Sequence, residues 1–169
     1  MNVLEPELDP EHSVYVDGPS LTVSGAQNSF EINVSSTEGT PKTVSLRVDG
    51  ENVKTEDTST GFKFDETFED KGYHRVVAEV QADDGYSENN VYYKTVRVVD
   101  KPRILVIGDR GGLGEQLSEF FDVTYSESVP DDLSEYYSVN LKENIRDTGG
   151  LKPYLVEGNG LVYTGDGSM

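Results

Sequence analysis

The stretch Lys101 to Gly114, KPRILVIGDRGGLG, constrains the fold of this chain more than any other. Arg103-Ile104-Leu105-Val106-Ile107 is a nearly continuous apolar run, the pattern of a strand buried on both faces of a parallel sheet. Gly108 to Gly114 then turns the chain into a helix predicted over Leu113 to Phe121. Upstream of this stretch, apolar and polar residues alternate. Downstream, strand and helix patterns alternate with each other. Pro102 holds Lys101 extended, so the junction falls at Lys101-Pro102 with almost no linker. The expected division is an acidic lead-in over residues 1–11, a β-domain over 12–100 and an α/β segment over 101–169.

From His12 to Asp100 the period is two. Phe30, Ile32 and Val34 alternate with Glu31 and Asn33, and Val44, Leu46 and Val48 with Ser45 and Arg47. Phe62 and Phe64 flank Lys63, and Val76, Ala78 and Val80 flank Val77 and Glu79. Tyr92, Lys94, Val96 and Val98 interleave with Val91, Tyr93, Thr95 and Arg97. Turn signals such as Asp17-Gly18-Pro19 and Asp49-Gly50 separate these runs. About seven short strands result, each apolar on one face, as an antiparallel β-sandwich requires. A short edge-like segment is expected at Val53, and a structural turn at Asn89-Asn90.

After Pro102 the predicted order is strand 103–107, helix, strand 122–125, a connection with one helical turn near Leu133, strand 138–141, helix 151–157 and strand 161–165. Leu113, Leu117, Phe120 and Phe121 lie at helical spacing and form a predicted core stripe. This is the front half of a doubly wound, flavodoxin- or Rossmann-like sheet. Two helices cover such a sheet poorly, so the expectation is that either residues after Met169 complete it or this half is marginal.

Two resemblances emerge from these residues. Asp49-Gly50 after a strand, then Gly72-Tyr73-His74-Arg75-Val76, then Ser87-Glu88-Asn89-Asn90 before the last strand resemble the immunoglobulin-like, cell-adhesion-related domains of prokaryotic surface proteins. ILVIGDRGGLGEQL, VPDDLSEY and LKPYLVEGNGLVYTGDGSM resemble the class I glutamine amidotransferase-like domain of large prokaryotic membrane proteins. In those proteins it commonly follows an immunoglobulin-like domain and accompanies a von Willebrand factor type A domain. True amidotransferases need a Cys on a later elbow and a downstream His. This chain has no Cys, so that catalytic role does not carry over.

The formal net charge of −18 comes from 32 acidic and 14 basic residues. It argues against DNA, RNA and anionic lipid as partners, which it repels. Dense carboxylates suit a salt-rich milieu, so a halophilic source is expected. The absence of Cys removes disulfides, thiolate metal sites and Cys nucleophiles. The two histidines, His12 and His74, are too few for a His-based metal site or a triad. No apolar run approaches the roughly 18 residues of a membrane-spanning helix, and no signal segment opens the chain.

The candidate ligand loop is Gly108, Asp109, Arg110, Gly111 and Gly112, at the carboxyl end of a buried strand. Backbone N–H groups and Arg110 could hold an anion there. The spacing fits neither dinucleotide nor P-loop motifs, and the glycines alone suffice for a tight turn. The turn Gln81 to Gly85 matches no Ca²⁺-loop pattern. Glu115 and Glu119 share a predicted helix face, read as solvent-facing. Ser118, Ser126 and Ser168 lack a His to activate them, and His74 is read as packing or hydrogen bonding. No catalytic residue, metal or cofactor is implied.

The expected function is a non-catalytic protein-interaction or scaffolding module of a larger cell-surface or membrane-anchored protein, extracytoplasmic in location. Its expected partners are other protein domains, a von Willebrand factor type A domain of the same polypeptide among them. Two rivals stay open: part of a hydrolase or amidotransferase-like enzyme whose active site lies beyond Met169, and a small-ligand sensor using the Gly108 to Gly114 loop. The acidity makes one test available at once. Thermal unfolding in rising KCl or NaCl should show a midpoint that climbs steeply; a midpoint flat from low to molar salt sinks the salt-adaptation reading.

Overall fold

The computed structural model describes residues 10–83, 85–108, 113–142 and 149–164. The chain divides into two compact units, Met1–Val99 and Asp100–Met169.

The first unit is all-β. Its strands are β1 (His12–Asp17), β2 (Leu21–Val23), β3 (Gln27–Ser36), β4 (Lys42–Val48), β5 (Glu51–Thr58), β6 (Gly61–Thr67), β7 (Gly72–Val80) and β8 (Val91–Val99). They form a three-stranded sheet, β1-β3-β6, and a five-stranded sheet, β2-β8-β7-β4-β5. The chain crosses between sheets after β3, returns after β5 and crosses again after β6. That is a Greek-key sandwich of the immunoglobulin-like kind. All pairs are antiparallel except β2 with β8, which run parallel at Leu21↔Arg97, Thr22↔Val98 and Val23↔Val99.

The predicted alternation builds the core. Val14 and Val16, Phe30 and Ile32, Val44 and Leu46, Val76, Ala78 and Val80, and Val96 and Val98 all turn inward and pack together with Phe68. A fully buried Val, Leu, Ile or Phe side chain stabilises by about 1.5–3 kcal/mol. Phe30 and Phe68 meet edge to face at 6.3 Å between ring centres.

Among the described residues this unit has eight strands, one more than the alternation suggests. β5 runs for eight residues where only a short segment at Val53 was expected. It is the sheet edge and mostly exposed on both faces, so no period-two signal marks it. Its charged residues Glu51, Lys54, Glu56 and Asp57 suit an edge that must not recruit another strand. Asn89 and Asn90 lie in a 3₁₀ turn, Ser87–Asn90. Asn89 donates to the Glu11 carboxylate at 2.6 Å, and Asn90 is buried.

The second unit holds β9 (Arg103–Ile107), α1 (Leu113–Leu117), β10 (Asp122–Ser126), β11 (Ser138–Leu141), α2 (Leu151–Val156) and β12 (Gly160–Tyr163). Its sheet is entirely parallel, in the order β10-β9-β11-β12. Ile104 to Ile107 are all buried. Leu105, Ile107, Leu133, Val139, Leu141, Leu151 and Tyr154 form one core, and the Tyr154 hydroxyl donates to the Tyr136 carbonyl at 2.9 Å. Gly158, at φ 89°, ends α2 in the left-handed region.

The predicted helix Leu113 to Phe121 is corrected: α1 stops at Leu117. Ser118 Oγ bonds back to the Glu115 carbonyl at 2.7 Å, and the N–H groups of Phe120 and Phe121 both turn onto the Leu117 carbonyl. Ser thus competes with the helix for its own backbone acceptors. The core stripe fails at the same place, since Phe120 is 47% exposed.

Gly61 sits at φ 117°, and a Cβ there would run into the Ile32 carbonyl of β3. Gly61→Ala should therefore destabilise by about 1 kcal/mol or more. Gly85→Ala, in open space, should stay within about 0.5 kcal/mol of the parent in urea unfolding.

Candidate functional site

Gly108 lies directly after β9, at φ 84°, with its N–H bonded to the Ser126 carbonyl at 3.2 Å. The positive φ explains why Gly stands there. Asp109, Arg110, Gly111 and Gly112 lie outside the described residues. α1 has only five residues, and Glu119 lies beyond its end, so Glu115 and Glu119 share no helix face. Both are exposed. Of the Gln81 to Gly85 turn, Asp84 lies outside the described residues. Among the described residues, no three His, Asp or Glu side chains gather where they could hold a metal ion.

The side chains that do converge lie on the outer face of the five-stranded sheet. On β7, Val76, Ala78 and Val80 point inward, so Tyr73, Arg75, Val77 and Glu79 point outward. On β8, burial of Val96 and Val98 sends Tyr93, Thr95 and Arg97 outward. Register then fixes the neighbours. Arg97 stands opposite Tyr73, Thr95 opposite Arg75, and Tyr93 opposite Val77. Val77 in turn faces Arg47 of β4, and Leu21 of β2 faces Arg97.

The result is a face where Tyr, Val and Arg side chains stand with Glu79 on a strongly acidic chain. Tyr73 is 75% exposed, Tyr93 64% and Leu21 61%. Arg97 stands between Leu21 and Tyr73, and the Arg75–Thr95 pair lies between Tyr73 and Tyr93, so exposed apolar and cationic groups interleave on this face. Arg47, Asp49, Tyr73, Arg75, Glu79 and Tyr93 border a shallow depression of about 630 Å³. Arg47 is paired to Glu79 at 2.9 Å. None of these outward residues was singled out as a site from sequence. The available signal was the outward register of β7 and β8, which carries Tyr, Arg and Val where Thr, Ser or Glu would suit a purely solvated face.

One end of the face is pinned by Asp49, the non-glycine residue at φ 52° in the β4–β5 turn. Its backbone N–H donates to the Arg75 carbonyl at 2.9 Å, and its Oδ1 accepts from the Arg75 N–H at 2.8 Å. Its Oδ2 lies 2.6 Å from His74 Nδ1. The other ring nitrogen, Nε2, lies 2.8 Å from the Asp70 carbonyl. Both nitrogens face acceptors, so the ring is satisfied only when doubly protonated. Burial opposes that charge, but the Asp49 carboxylate and the Asp70 carbonyl outweigh it and hold the His74 pKa above 6.5. For Asp49, burial raises the pKa; the Arg75 N–H and the His74 ring outweigh it and hold it below 3.8. With both nitrogens engaged, His74 is a structural pin rather than a proton shuttle.

No family model matches the chain, and no curated protein matches its sequence. Among solved structures, the chain is similar to the CARDB domain of the PF1109 protein from Pyrococcus furiosus, solved in complex with di-metal ions, at 20% identity and a TM-score of 0.49. That likeness covers 59% of this chain and 98% of the other. It is also similar to the PKD domain of an M14-like peptidase from Thermoplasmatales archaeon SCGC AB-540-F20, at 18% identity and a TM-score of 0.39, over 54% and 95% of the two chains. The fibronectin(III)-like modules of Clostridium thermocellum CbhA match at 14% identity and 0.36, over 57% and 48%. Each likeness is loose, and the fold follows from the strand order itself.

The Asp49–His74 pair makes stability depend on pH in a defined sense. The His74 contribution is fully present below pH 6.5 and is lost as pH rises through its raised folded pKa. The Asp49 contribution is present above pH 3.8 and is lost as pH falls through its lowered folded pKa. Thermal melts across neutral to alkaline pH should show the parent losing stability and His74→Gln staying flat. Equal slopes for the two proteins would refute the pin.

Proposed function

We propose that this chain is a non-catalytic interaction module of a larger cell-surface protein, docking its partner through the outer face of the five-stranded sheet. One observation carries the reading: Tyr73, Tyr93 and Leu21 are exposed together with Arg47, Arg75 and Arg97 on one face of a single sheet. Tyr and Arg are the residue types that dominate binding energy at protein interfaces. Hydrogen-bonded strands already fix the backbone that carries them, so binding has only the side chains to order.

The second unit is, in this reading, the opening part of an amidotransferase-like α/β domain. Its all-parallel order β10-β9-β11-β12, with helices in the β9–β10 and β11–β12 crossovers, supports this. The resemblance to surface-protein architectures supports an extracytoplasmic location and a von Willebrand factor type A domain as a neighbour in the same polypeptide. The high acidity supports a salt-adapted source. A second reading, a small-ligand sensor, is favoured by the place of Gly108. It sits at the carboxyl end of β9, where β10 and β11 flank it on opposite sides. Such switch points are where open parallel sheets bind ligands.

The docking reading is tested with a photo-crosslinking amino acid placed at Tyr73 or Tyr93, and as control at Glu31 on the outer side of the three-stranded sheet. In cells that make the natural protein, Tyr73 and Tyr93 should capture the same discrete partner and Glu31 should not. Capture from all three positions, or from Glu31 alone, would locate the working surface elsewhere.

A further inference from the structure

We infer that the docking face is built for an acidic polypeptide segment, gripped along an oblique line of three arginines. This rests on the docking reading and adds the chemistry of the partner. Arg97 on β8 lies level with Tyr73 of β7, Arg75 lies on β7 itself, and Arg47 on β4 lies level with Val77 of β7. Each step crosses to the next strand and moves two residues along it. Diagonal neighbours of this kind stand about 7–8 Å apart. Tyr73 flanks the line on one side and Tyr93 on the other.

The state of these guanidinium groups is informative. The chain has 32 carboxylate side chains, more than twice its basic residues, so internal partners for an arginine are abundant. Arg47 takes one, Glu79. Among the described residues, the side chains of Arg75 and Arg97 make no ion pair or hydrogen bond. Both are exposed, and each keeps its full fork of donors for a carboxylate. Two carboxylates border the depression with Arg75: Asp49 is committed to the Arg75 backbone and to His74, and Glu79 to Arg47.

The overall charge decides which anions fit. A nucleic acid or an anionic membrane spreads its charge over a wide surface and meets the whole field of −18. A short acidic segment lies on the arginine line alone. In molar salt the Debye length is about 3 Å, so remote repulsion is screened while bidentate contacts at hydrogen-bond distance persist. The open face accepts an extended chain, and the two tyrosine rings supply apolar contact beside the charged grip.

The test is fluorescence anisotropy of a rhodamine-labelled glutamate oligomer with the purified chain, at physiological and molar salt. A serine–glycine oligomer and polygalacturonate serve as comparison probes. Saturable binding of the glutamate oligomer is expected, at least about tenfold weaker for the Arg75→Gln/Arg97→Gln double variant. Lys54→Gln, whose ammonium sits 4.2 Å over the Phe62 ring, should bind as the parent does. Absence of binding, equal binding of the serine–glycine oligomer, or an unchanged double variant overturns the inference. Preference for polygalacturonate overturns it in favour of an acidic glycan. Sequencing the partner segment crosslinked at Tyr73 separates the two levels: a neutral or basic segment there sinks the acidic partner while the docking face stands.

Discussion

The hydrogen-bonded ladder that β7 makes with β4 on one side and β8 on the other is the constraint on which the sandwich unit depends. Its register is uninterrupted from Gly72↔Val98 to Glu79↔Val91 on the β8 side, and from Val48↔Val76 to Val44↔Val80 on the β4 side. That register sends Val76, Ala78 and Val80 into the core and Tyr73, Arg75, Val77 and Glu79 to the outside. A slip of one residue would exchange the two sets. Core and working face are therefore one decision, taken by the same hydrogen bonds. The Asp49–His74 pin acts at the end of this ladder, where Asp49 bonds Arg75 through both its backbone and its side chain.

The second unit follows a different logic. Parallel strands need crossovers, and burial on both faces makes their sequences continuously apolar. β9 obeys this fully. β12 carries the same kind of sequence, yet Leu161, Val162 and Tyr163 are between 37% and 54% exposed. Among the described residues it pairs with β11 alone, at one end of the sheet. The sandwich guards its comparable edge, β5, with charge.

Period-two alternation made most of the sandwich legible in advance, because each strand has one wet and one dry face. β5 escaped because an edge strand exposed on both faces carries no such alternation. The α1 helix was overread because Leu117, Phe120 and Phe121 keep helical spacing while Ser118 diverts the backbone. The arginine line was invisible for another reason. Arg47, Arg75 and Arg97 are more than twenty residues apart from one another in sequence. Only strand register brings them into line, and register depends on long-range pairing. Of the candidate loop Gly108 to Gly112, Gly108 lies among the described residues, at φ 84°.

The parallel pairing of β2 with β8 has a mechanical consequence. The two strands belong to opposite ends of the sandwich in sequence, and their ladder is extended by Arg97 N–H to the Ser20 carbonyl and Ser24 N–H to the Val99 carbonyl. A pull between the chain before Leu21 and the chain after Val99 runs along both strands in opposite directions. It loads these bonds together, in shear, rather than peeling them one at a time. Rupture under force then depends on the barrier to unfolding rather than on equilibrium stability. A module tethered between two anchors would gain tensile strength from three residue pairs, one of which, Thr22↔Val98, also reaches the core.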